Sequence, residues 1–197
     1  MGKVMFNMTM SLDGFVAGPN DEVDLLFRWY FSGDTAVPFP GSPYEFKVSR
    51  ASAEHFQRTW PTFGAMVTGR RNFDLTHAWG GKPPLGVPCF VVTHRVPAEW
   101  VKPGSPFTFV TDGVPSAIEQ AKRVAGEKHV AISTANIMQQ CLTAGLLDEI
   151  HIDLVPILLG NGIRLFDQLG TEPIELESIG VVEGTGVTHL SFRVVKG

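Results

Sequence analysis

The residues best equipped for chemistry in this 197-residue chain gather in short turns rather than along helices. Thr68-Gly69-Arg70-Arg71-Asn72 stands where an apolar run gives way to a helical pattern. At such a junction the first backbone N–H groups are unpaired and the helix dipole is positive, so a phosphate placed there is attracted, and two guanidinium groups add countercharge. Without a ligand the same residues are a helix start with two solvated arginines. Val92-Thr93-His94-Arg95 repeats the logic at the end of the next apolar run, where Arg95 is able to grip an anion bidentately. A third turn, Ser133-Thr134-Ala135-Asn136, sets small hydroxyl residues at another helix start.

Asp13, in Ser11-Leu12-Asp13-Gly14, is the candidate catalytic group, since a partly buried carboxylate can relay a proton to a bound substrate. The competing reading is an ordinary Asp-Gly turn in which the side chain bonds its own backbone. Glu22 and Asp24 lie in a polar loop and read as solvated. Metal and nucleophile chemistry find no support in spacing. His129, His151 and His189 stand apart in the sequence, and there is no His-Glu-x-x-His, Cys-x-x-Cys, Gly-x-Ser-x-Gly or Gly-Lys-Ser/Thr motif. His151 reads as an ordinary strand residue, and no metal is expected.

The elements that must hold these turns follow from periodicity. Lys3 to Met10 alternates apolar and polar residues and predicts a strand near the centre of a sheet. Short apolar runs at 65–68, 88–93, 107–111, 129–132 and 150–155 predict buried strands. Between them, 49–59, 71–76, 115–125 and 136–144 carry helical patterns, with Asp112 a candidate cap for the third and Ser133 or Thr134 for the fourth. Alternating strands and helices imply a mostly parallel sheet covered on both faces. The tail differs, because 174–182 and 187–195 flank Glu183-Gly184-Thr185-Gly186 and predict an antiparallel hairpin. Residues 27–44, rich in Gly, Pro and aromatics, show neither period and are expected to form a loop.

Composition bounds the rest. The chain suits one domain, residues 1–197, and its 44% hydrophobic content is enough for a sizeable core. A formal net charge of −4 argues against a nucleic-acid or anionic-membrane surface, which needs clustered Lys and Arg. Two cysteines make no disulfide framework, and no apolar run approaches a membrane span of about 20 residues. A soluble cytoplasmic protein is expected.

The order strand, Ser-Leu-Asp-Gly turn, strand at the front resembles the dihydrofolate reductase-like superfamily, as does Gly145-Leu146-Leu147-Asp148-Glu149 leading through a strand into Leu158-Leu159-Gly160-Asn161-Gly162 at the back. Within it, the chain is most similar to the C-terminal reductase domain of the bifunctional riboflavin-biosynthesis deaminase-reductase. The resemblance implies a three-layer α/β/α fold and an NADPH-dependent reductase acting on a small heteroaromatic, pterin- or pyrimidine-like, or carbonyl substrate. It implies cofactor contacts from Ala17, Gly69, Arg70, Arg71, Asn72, Thr93, His94, Arg95, Ser133, Thr134, Ala135 and Asn136, with Asn72 standing for a Thr and retaining a capping side chain. Two basic strand-end turns in order are what NADPH, rather than NADH, requires. Three departures stand out: Ser133-Thr134 replaces a Gly-Gly turn, Phe15 replaces a substrate-binding lysine, and Ile132 replaces a glutamate. The other reading is a non-catalytic, ligand-sensing relative that kept the fold without the cofactor. The apolar face of the terminal hairpin and the family likeness together imply a homodimer.

Overall fold

Alternation places the central strand. In the computed structural model, which describes residues 2–196, β1 (Val4–Ser11) sends Val4, Phe6 and Met10 into the largest core and turns Asn7, Thr9 and Ser11 to the opposite face. Around it, among the described residues, is an eight-stranded sheet of β5 (Phe63–Gly69), β6 (Cys89–Val92), β7 (Phe107–Val110), β8 (His129–Ile132), β9 (Glu149–Val155), β11 (Leu176–Gly184) and β12 (Val187–Val194). The order is β11-β12-β9-β1-β8-β5-β6-β7. Strands β1, β5, β6, β7, β8 and β9 run parallel, whereas β12 returns antiparallel to β9 and β11 pairs antiparallel with β12. The hairpin closes through Thr185-Gly186 with Gly186 at φ 74°.

Helices complete three layers. On one face α3 (Val114–Ala125) and α4 (Ala135–Thr143) cover the sheet. Helix α3 buries Val114, Ala117, Ile118, Ala121 and Ala125, the 3.6-residue stripe that the sequence pattern foretells. On the other face α1 (Arg50–Thr59) packs over the β9–β12–β11 end and α2 (Arg70–Leu75) over β5 and β6. The expected caps of α3 and α4 are corrected. Gly113, not Asp112, precedes α3, and Thr134 occupies the position before α4 without any capping bond from its side chain.

The expectation of a plain loop over 27–44 is also corrected. Residues Thr35–Pro38 form β3, which pairs antiparallel with β4 (Glu45–Val48), and Arg28–Phe31 make one tight helical turn. Side chains rather than periodicity order this segment. Trp29 stacks on Tyr30 with ring centres 4.1 Å apart, and Tyr30 stacks on Phe46 at 4.3 Å, so aromatic contact supplies a second core that short-range patterning does not reveal. A short pair, β2 (Phe15–Ala17) with β10 (Ile163–Arg164), ties the first turn to the loop after β9. Among the described residues no helix is long and apolar enough to cross a membrane.

Candidate functional site

Because the six parallel strands share a direction, their C-terminal ends form one edge, and the singled-out turns meet there. Arg70 Nη1 donates to the Arg95 carbonyl at 2.7 Å, joining the turn after β5 to the turn after β6. Asn72 Nδ2 donates to Thr68 Oγ1 at 3.1 Å and reaches Ser133 Oγ at 3.5 Å, so it bridges β5 to the end of β8 rather than capping α2. Gly69 lies against the third turn: a Cβ built there would stand 3.6 Å from Thr134 Oγ1.

Thr134 adopts φ 90° and ψ 142°, backbone that glycine takes freely and a β-branched residue takes only under strain. The Ser133-Thr134 turn thus holds a threonine in a conformation that suits glycine. The first N–H groups of α4 carry no side-chain cap. Other expected contacts divide. Arg95 and His94 are exposed, and Arg95 has no carboxylate partner among the described residues. Thr93 is buried and folds its own turn, accepting from Arg95 N at 3.2 Å and donating to Arg95 O at 2.9 Å. Arg70 Nε is shared by both oxygens of Asp74 at 2.8 and 2.9 Å, and Arg71 pairs with Asp21 at 2.7 Å, so neither is a freely solvated arginine. Asn136 Oδ1 accepts from Gln140 at 2.7 Å; Ala135 is buried; Ala17 is buried in β2 opposite Ile163.

Asp13 is held by three hydrogen bonds. Its carboxylate accepts from Ser11 Oγ at 2.6 Å, Leu159 N at 3.1 Å and Gly160 N at 2.7 Å. These bonds, led by that from Ser11, hold its pKa down to about 2, so the group is ionised near neutrality. Asp13 fastens the Leu159-Gly160 loop to the β1 turn. Beside it, the Arg164 guanidinium stands over the Phe15 ring at 4.5 Å, a cation–π contact at the turn where the resemblance leads one to expect a lysine. Ile132 is buried in the largest core. Glu22 is held by Asn20, as a loop residue.

On the face of β1 that looks toward α1 and α2, Met5, Thr9 and Ser11 are buried and Asn7, in the middle of the central strand, is the exposed one. It pairs with His151 on β9 and follows Phe6, whose β8 neighbour Ile132 precedes Ser133. Toward α1 lies a polar network that sequence spacing concealed. His189 Nδ1 is 2.6 Å from Asp153 Oδ1, and its Nε2 is 2.8 Å from Ser52 Oγ. His151 links Glu149 at 3.0 Å to Ser191 at 2.9 Å. His55 stacks on His189 with centroids 4.6 Å apart. Donor atoms of His55, Asp153 and His189 all fall within 4.8 Å of one another, but both nitrogens of His189 are engaged, which makes the group a hydrogen-bonded relay rather than a ligand set. One signal was available: Glu149, His151 and Asp153 alternate on a strand buried on both faces, where apolar residues are the rule.

This arrangement, a mostly parallel sheet with basic turns along one edge and an antiparallel tail, defines a dihydrofolate reductase-like fold. The chain belongs to the RibD C-terminal domain family, whose profile matches residues 2–190. It is 23% identical over 178 residues to the uncharacterized protein YwjB of Bacillus subtilis (strain 168), covering 86% of each chain. Among solved structures it is similar to a putative riboflavin biosynthesis protein from Shewanella sp. PV-4 (TM-score 0.72, 22% identity, all of both chains). It is also similar to the riboflavin biosynthesis reductase Rib7 of Saccharomyces cerevisiae (TM-score 0.59, 13% identity, 98% of this chain and 90% of that one). In the deaminase/reductase of Thermotoga maritima the match has a TM-score of 0.65 at 10% identity and covers 98% of this chain but 57% of that one.

Proposed function

We propose that this protein is an NADPH-dependent reductase that passes hydride to a small heteroaromatic or carbonyl acceptor bound in the cleft over β1. The observation that carries the reading is Thr134. A threonine held at φ 90° costs about 1–3 kcal/mol, and such strain persists where a particular backbone is needed. Here it lies against Gly69, at the uncapped start of α4, on the edge that holds Arg95. These residues fit a dinucleotide phosphate: backbone N–H groups of Ala135 and Asn136 and the hydroxyl of Ser133 for the pyrophosphate, and Thr93, His94 and Arg95 for the 2′-phosphate. The bound cofactor would supply the hydride. The chain's contribution is positioning: Asp13 sets the loop beside the cleft, and the turns fix the edge.

One observation favours the ligand-sensing alternative. Arg70 and Arg71 already hold carboxylates, Asp74 and Asp21, which compete with any incoming phosphate. A thermal shift with NADPH decides between the readings. At 100 times its dissociation constant the cofactor should stabilise by about 2.7 kcal/mol, a rise of several degrees at this size. No shift at millimolar NADPH would abandon the reductase reading.

We also read the protein as a cytoplasmic homodimer. Strand β11 is an open edge on which Leu176 is 37% and Val181 58% exposed, a combination that invites a partner strand. Cys89 and Cys141 are buried thiols, and burial pushes Cys141 up to about 12, in keeping with a reduced, unreactive pair.

A further inference from the structure

A carboxylate with 1% exposure needs an explanation, because burying an ionised group is costly unless partners surround it. Asp153 receives His189 at 2.6 Å and Asn7 Nδ2 at 3.4 Å, and His189 hands the chain on to Ser52, whose Oγ is 3.0 Å from Ser49, the cap of α1. The order Ser, His, Asp is that of a nucleophilic triad. Ser52 is 0% exposed, however, so no acyl group reaches it and hydrolysis is excluded. What the chain does is tie α1, β12 and β9 to the central strand.

Two residues attached to this chain look outward. Asn7 is bonded to Asp153 and exposed in the cleft. His55 follows Ser52 by one helical turn and lies on the His189 ring at 4.6 Å and 20°, with no hydrogen bond to either ring nitrogen among the described residues. Both line one small cavity, of about 20 Å³, with Phe56, Trp60 and His151. We propose that Asn7 and His55 are the residues that recognise the acceptor, and that the buried Ser52–His189–Asp153 chain is the strut positioning both. The proposal rests on the reductase reading for its cofactor.

The chemistry of the pair narrows the ligand. Burial, and then His189, keep His55 down to about 4, so the ring is neutral near neutrality and offers one donor and one acceptor. The Asn7 carboxamide offers the same. Phe56 and Trp60, stacked at 4.4 Å, make an aromatic wall. Such a lining presents uncharged donors and acceptors, beside an aromatic wall, to the edge of an uncharged planar ring.

Lumazine, a planar fluorescent lactam, is a suitable probe, titrated against the full chain with NADPH thermal shifts measured on the same samples. Wild type should quench it saturably. Asn7→Ala and His55→Phe should each weaken binding about tenfold, the size of one lost hydrogen bond, while His55→Gln, which keeps a donor and an acceptor, should restore most of it. Ser52→Ala should weaken lumazine severalfold and leave the NADPH shift unchanged. No saturable quenching by wild type, or quenching indifferent to Asn7→Ala and His55→Phe in folded variants, overturns the proposal. Failure of the NADPH shift with lumazine binding and its variant dependence intact would instead remove the reductase reading alone.

Discussion

Arg70 Nη1 donates to the main-chain carbonyl of Arg95 at 2.7 Å, so one guanidinium fixes the backbone of a turn whose own guanidinium has no carboxylate partner among the described residues. The two arginines therefore have separable roles. Arg95→Ala should weaken NADPH by about 1.5–3 kcal/mol and leave NADH nearly unchanged, since only the 2′-phosphate loses its partner. Arg70→Ala should weaken both cofactors, because the turn itself relaxes. Titration calorimetry checks this, and equal weakening of both cofactors by Arg95→Ala would show that its partner is not the 2′-phosphate.

Thr134→Gly should raise stability by about 1 kcal/mol, as relief of the strained φ outweighs the added chain entropy, and raise Tm by about 2–4 °C. A lower Tm in thermal denaturation would mean that the threonine side chain stabilises the turn more than its backbone strains it.

Asp13→Ala should slow NADPH oxidation by loosening the Leu159-Gly160 loop, without removing a titrating limb from the pH–rate profile above pH 4. The carboxylate sits at about 2 in the folded protein against 3.8, so its contribution to stability is complete above 3.8 and lost as pH falls from there toward 2. A basic limb that vanishes in the variant would restore Asp13 as the proton donor.

His55 gives stability a second pH dependence of the same sign. Its pKa is about 4 when folded against 6.5, so between these values the unfolded chain binds more protons and stability falls as pH is lowered. Urea unfolding of His55→Gln from pH 7 to pH 4 should show a flatter decline than wild type. Parallel declines would mean that the histidine is not held neutral.

Light scattering at micromolar concentration should give twice the 21.5 kDa of one chain. A charged substitution at Val181, on the open edge of β11, should return the monomer mass if that edge is the interface.

The strands and helices were legible in the sequence because each buries a face against a continuous layer, and burial imposes a period. His129–Ile132 and the tail hairpin fall almost where alternation sets them. The turns at the C-terminal ends of the parallel strands were legible too, since a strand end followed by a helix start is a local event. The segment around Trp29 and Tyr30 was not, because its order comes from Tyr30 stacking on Phe46 and from tilted contacts with Phe56, which lie elsewhere in the chain. Nor was the role of Asp13, which depends on Leu159 and Gly160 on the other side of the molecule. The same holds for Ser52, Asp153 and His189: in the sequence they are an unremarkable serine, aspartate and histidine, and only the β9–β12 register and the placement of α1 bring them within hydrogen-bond reach. Period and turn chemistry act between neighbours and determine elements; a buried polar network is made by contacts across the sheet, so the tertiary structure alone decides it.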